Sequence, residues 1–63
     1  MPSPVKFREV KRYMEEHGWR LLHVKGSHHV FVKEGMRRFP IPVHHGEVNY
    51  AYYRKIKEIC EGQ

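Results

Sequence analysis

The residues best arranged for chemistry are Lys25-Gly26-Ser27-His28-His29-Val30-Phe31, near the middle of the chain. A turn-forming Gly-Ser pair launches two histidines into a β-branched and aromatic run. Imidazole ionises near neutrality, so it can take or give a proton at working pH. A lysine beside it can steady the charge that develops on a phosphorane. Together they suffice for metal-independent RNA cleavage, in which imidazole takes the proton of a ribose 2′-hydroxyl. DNA lacks that hydroxyl and is spared. His28 is the candidate acid/base. The plain alternative makes His28 a solvent-facing strand residue and Gly26 a backbone requirement for positive φ or close approach.

Other chemistries fit less well. Six histidines and one cysteine invite a metal, but there is no His-x-x-x-His or Cys-x-x-Cys pair. His28-His29 and His44-His45 are adjacent pairs, and strand neighbours point to opposite faces, so no metal site is assigned. A Ser-His-Asp arrangement fails because the chain has no aspartate. No glycine-rich nucleotide motif is present, and no cofactor is expected. His44 and His45 read as loop surface, and His29 as a packing or rim residue. Tyr50, Tyr52 and Tyr53 resemble a base-stacking platform, though helical spacing puts at least one of them in the core.

The elements that must hold these residues follow from periodicity. Ser3-Pro4 reads as a helix start, with a hydroxyl cap and a proline at the first helical position. Phe7, Val10 and Met14 mark one helical face, and Gly18 closes the helix, placed at about residues 4–17. Strands are expected near 20–25, 28–33 and 36–41, joined by turns at Gly26-Ser27 and Glu34-Gly35. Pro40 and Pro42 make the third an edge strand. On the second strand Phe31 buries more area than a valine, so its face meets the helices and His28 takes the open face, with Arg38 nearby. The inverse, with Val30 and Val32 inside, is the rival reading. Val43 to Val48 reads as a loop, and Asn49 caps a helix near 49–60 whose stripe is Tyr52 or Tyr53, Ile56, Ile59 and Cys60. The fold class is therefore α+β: a two-layer domain of helix, three-stranded antiparallel sheet and helix.

At 63 residues the chain is read as one domain, residues 1–63, with a single core. Twelve Lys and Arg against seven Asp and Glu give a formal charge of +5. That balance suits a polyanion or an acidic protein partner, although solubility alone could explain it. Lys25, Arg38, Arg54, Lys55 and Lys57 are the candidate phosphate contacts. The lone Cys60 excludes an internal disulfide and points to a reducing cytoplasm. No apolar run reaches membrane-spanning length, and the first residues do not read as a signal peptide.

The Lys25–Phe31 piece, the later Ile41-Pro42-Val43-His44-His45-Gly46-Glu47-Val48 piece, the Glu16-His17-Gly18-Trp19 helix end and the closing basic helix together resemble the HicA (YcfA-like) mRNA interferase toxins. The likeness covers nearly the whole chain. It implies a fold like the double-stranded-RNA-binding domain, which matches the element order above. It also implies a type II toxin that cleaves mRNA and blocks translation, and a HicB-type antitoxin that covers the active site. Any homo-oligomer is expected only within that complex. The family's catalytic histidine follows Gly-Ser, which is His28 here, with Gly26 and Ser27 in the RNA-binding site. The chain departs from many members at Ala51-Tyr52, where they carry Gly-Thr. The alternative is a non-catalytic RNA-binding module of the same shape, or a degenerate toxin kept as a protein-binding domain.

Overall fold

The computed structural model describes residues 3–62. Along the chain run β1 (Val5–Lys6), α1 (Phe7–Glu16), β2 (Arg20–Lys25), β3 (His28–Val32), β4 (Phe39–Pro42), β5 (Glu47–Val48) and α2 (Tyr50–Glu61). β2, β3 and β4 form an antiparallel sheet with β3 in the middle. Val10 and Met14 of α1, Ile56 and Cys60 of α2, and Phe31 and Ile41 of the sheet share one buried cluster with Trp19 and Val48. Both helices therefore cover the Phe31 face, as the alternation predicts. Phe31, Met14, Ile41, Ile56, Val10 and Val48 have no exposed side-chain surface. Each such residue contributes about 1.5–3 kcal/mol by leaving water.

α1 starts at Phe7, later than the Ser3-Pro4 reading placed it. Lys6 is extended (φ −64°, ψ 137°) and gives no side-chain cap. The chain instead pairs Val5 with Val48 and Lys6 with Glu47. The Phe7 N–H donates to the Gly46 carbonyl at 2.8 Å, so a tertiary contact satisfies a donor that a cap would otherwise serve. Fully burying Val48 under this short pairing outweighs one more helical turn built on a proline. The segment read as a loop after Val43 thus contains a hairpin and a strand.

The other end of α1 follows the sequence closely. The Trp19 N–H reaches the Met14 carbonyl at 2.9 Å and the Gly18 N–H reaches that of Glu15 at 3.1 Å, with Gly18 at φ 90°. This is the double closure that a left-handed glycine allows, and it delivers Trp19 into the core beside Met14. α2 is capped as expected, its Asn49 side chain accepting from the Ala51 N–H at 2.8 Å.

Pro40 and Pro42 sit on the free edge of the sheet. In the β3–β4 pair the hydrogen-bonded positions alternate, and Val43 N donates to Ser27 O at 2.7 Å. Counting back in twos makes Ile41 and Phe39 the other inward-facing donors. The prolines thus fall where an N–H would point away from the sheet, so no ladder bond is lost. β4 itself begins at Phe39, later than expected, because residues 33–38 are spent on the connection.

Candidate active site

His28 opens β3 and is exposed on the sheet face away from the helices. The connection before it, Gly26-Ser27, is a two-residue hairpin loop. Gly26 has φ 60°, while Ser27 is absent from the positive-φ residues. Positive φ at the first central position alone is the II′ pattern, which matches strand twist and favours glycine there. A Cβ on Gly26 would meet nothing within 4 Å, so the glycine serves the dihedral rather than a close approach. The register pairs His28 directly with Lys25 on one side and Pro42 on the other. Paired residues share a face, so the Lys25 and His28 side chains leave the sheet from neighbouring positions on the same side.

A bulge makes that juxtaposition possible. The β2–β3 register shifts between Leu21 and His23, leaving Leu22 without a partner. Leu21, His23 and Lys25 alternate in sequence and would share a face in a regular strand. With Leu22 as the extra residue, Leu21 packs on the core opposite Phe31, while His23 and Lys25 emerge on the open face. The adjacent leucines, Leu21-Leu22, were the only sequence sign of it.

The remaining histidines divide by environment. His17 Nδ1 donates to the Tyr13 carbonyl at 2.8 Å, and its ring stacks 4.4 Å from that of Tyr13. His29 faces the helices, its ring 4.4 Å from Phe7, with Nδ1 buried and unbonded. Both are packing residues. His44 and His45 lie in a tight hairpin instead of a loose loop. His44 and Glu47 exchange backbone hydrogen bonds, each 2.9 Å, around His45 (φ 53°) and Gly46 (φ 74°). Positive φ at both central residues is the I′ pattern. Val43 packs against the core with Phe39 and Ile41, so the alternation of β4 continues and His44 follows Pro42 toward the open side.

Cys60 is buried, and burial pushes its thiol up from the ordinary value, with Lys33 pulling partly the other way. A buried thiol held in its protonated form has little thiolate to react with. Among the described residues no group of three or more His, Cys, Asp or Glu could hold a metal ion. None of their helices is long and apolar enough to cross a membrane.

The candidate phosphate contacts separate. Lys25, Gly26 and Ser27 surround His28. Arg38 precedes β4, four residues from Pro42 along the chain, or about 13 Å at strand rise, at the opposite end of the sheet. The expectation of Arg38 beside His28 fails on this register. Arg54, Lys55 and Lys57 lie on α2, in the helical layer. Arg54 lines an open depression of about 380 Å³ with Pro4, Asn49, Tyr50 and Ala51. Lys57 rests over the Tyr53 ring, 5.5 Å from its centroid.

A family model described as the HicA toxin of bacterial toxin–antitoxin systems matches residues 7–60. The chain belongs to the HicA toxin family. The matched span runs from the first residue of α1 to Cys60 and contains the Gly26-Ser27 turn, His28 and the His44–Glu47 hairpin; β1 lies outside it. No curated protein and no solved structure matches. As a HicA-family toxin, the chain pairs an α+β, double-stranded-RNA-binding-domain-like fold with a role in a toxin–antitoxin system.

Proposed function

We propose that this HicA-family chain is a metal-independent endoribonuclease that cleaves mRNA, with His28 as the proton-transfer group. The observation that carries the reading is the exposed imidazole of His28, fixed by a two-residue turn and paired with Lys25, in a chain of a toxin family. The His28 imidazole takes the proton of a ribose 2′-hydroxyl. The freed oxygen attacks the adjacent phosphorus, and the P–O5′ bond breaks. A 2′,3′-cyclic phosphate and a 5′-hydroxyl fragment result. Lys25 meets the negative charge that builds on the phosphorane. A HicB-type antitoxin places bulk and acidic charge over the open face, where Arg20, His23 and Lys25 line β2.

The test is cleavage of a defined RNA by purified wild type and His28→Ala, with matched thermal melts. The variant should lose on the order of a hundredfold or more in rate, the usual worth of a positioned acid/base group. It should keep its melting temperature, because an exposed residue at a strand end adds little to the core. Blocking the 2′-hydroxyls should abolish cleavage. A variant that binds RNA and cuts as fast as wild type sinks the mechanism. A wild-type chain that binds RNA without cutting it is a binding module.

A further inference from the structure

The reaction above needs a second proton transfer, since a 5′-alkoxide is a poor leaving group unless it is protonated as the P–O5′ bond breaks. The position for that group is set by the β3–β4 register. His28 pairs with Pro42, and His44 lies two residues further along the same chain. Val43 N–H donates to Ser27 O at 2.7 Å, so the pairing persists past the end of β4 and carries the His44 backbone with it. Val43 packs inward. His44, next in alternation, is exposed on the open side with His28. Diagonal neighbours of this kind stand about 7–8 Å apart, within reach of long side chains and separated enough for a phosphodiester between two imidazoles.

Three features favour His44 over the other open-face histidine, His23. The right-handed twist of an antiparallel pair turns a residue toward the neighbour two places after its partner and away from the one two places before. His44 is the former, and His23 is the latter relative to Lys25. His23 also adjoins the bulge, where the register shifts. Finally, His44 is held by two backbone hydrogen bonds to Glu47 in a type I′ hairpin, and Gly46 of that hairpin accepts from Phe7. A group positioned for proton transfer needs such a rigid seat.

We infer that His44 is the general acid of this site, donating its proton to the departing 5′-oxygen while His28 removes the proton of the 2′-hydroxyl. One O–H bond breaks at the 2′-oxygen and one N–H bond forms on His28. One P–O bond forms as another breaks. The N–H bond of the His44 imidazolium breaks as its proton forms an O–H bond at O5′. The site ends with His28 protonated and His44 neutral, and hydrolysis of the cyclic phosphate in the reverse sense restores both. The assignment rests on the ribonuclease reading above.

The test uses the full chain and two short RNAs of one sequence, one normal and one with sulfur in place of the bridging 5′-oxygen at the cleaved bond. A thiolate leaves without a proton. His44→Ala should therefore cut the normal RNA on the order of a hundredfold more slowly than wild type, yet cut the sulfur-bridged RNA at close to the wild-type rate. His28→Ala should be slow on both, and His23→Ala should behave as wild type. His44→Gln, which keeps the size of the side chain without its titration, should repeat the His44→Ala pattern. Equal rates for His44→Ala and wild type on normal RNA overturn this assignment alone. So does loss on both substrates, which would make His44 a binding or structural residue, and so does sulfur rescue of His23→Ala instead. A wild type that cleaves neither RNA overturns the ribonuclease reading and the assignment with it.

Discussion

His45 holds a φ of 53° without being glycine. An L side chain in that region crowds its own backbone, and a residue that tolerates the left-handed conformation relieves the strain. The I′ turn it shares with Gly46 is best served by Asn-Gly. His45→Asn should raise stability by about 1 kcal/mol, the lower end of the cost of a single left-handed non-glycine, and the readout is a thermal melt. An unchanged or lower melting temperature would show that the His45 ring makes compensating contacts. The same turn marks the limit of what residue types reveal. His28 on the open face was legible, because Phe31 outranks valine in burial and alternation does the rest. His44 was not, because a pair of adjacent histidines before Gly46 reads as loop when the flanking strand is only Glu47–Val48. Nor was the phase of Lys25, which depends on one bulged leucine.

The elements are tied to each other by apolar burial and by backbone pairing, and the two helices also by a side-chain hydrogen bond. The Tyr13 hydroxyl of α1 donates to Glu61 Oε2 of α2 at 2.7 Å. The Glu61 carboxylate accepting that bond holds the Tyr13 phenol up at about 12, from its ordinary 10.0. A raised folded-state value means that the folded chain binds the proton more tightly. The contribution is complete below the unfolded value and fades as pH rises from 10 through about 12. An absorbance titration should show one tyrosinate forming later than the others, and Glu61→Gln should bring it earlier. The stability gap between wild type and Tyr13→Phe should close across that window. A gap that persists at higher pH would mean that the hydroxyl acts otherwise. In the sequence these two residues are simply one helical tyrosine and one late glutamate, 48 positions apart, so nothing local announces the link. Helix α2 and the three main strands were legible because their signals are local: Asn49 before the Tyr52–Cys60 stripe, and turn residues between apolar runs. The start of α1 departs from its local signal for the converse reason. A Val5–Val48 contact across the whole chain outweighed the Ser3-Pro4 start signal.

At the scale of the molecule, a +5 charge is distributed over two layers. Two glutamates of α1 are engaged in exposed pairs, Lys11–Glu15 and Arg12–Glu16, each at 3.9 Å and worth little in water. The candidate cations belong to different elements. Lys25 pairs with His28 on the sheet, and Arg54 lies in the first turns of α2, in the helical layer. Arg38 stands at the far end of the sheet. An RNA whose scissile phosphate sits on His28 meets Lys25 beside it, but must extend about 13 Å along the sheet to reach Arg38, and reaches Arg54 only by wrapping onto the helical layer. Each phosphate neutralised by a cation releases counterions, so log K falls with log salt by about 0.9 per contact on a duplex and about 0.7 on a single strand. Lys25→Gln and Arg54→Gln should each flatten that slope by about one contact and weaken binding regardless of sequence. Arg38→Gln should leave it unchanged. Binding isotherms of one RNA at four or five salt concentrations decide the matter. A slope that responds to Arg38 and not to Arg54 would lay the RNA along the open sheet face, away from the helix layer. In that geometry the His28 end would be one margin of the contact, and the antitoxin would have to cover the whole sheet to silence the toxin.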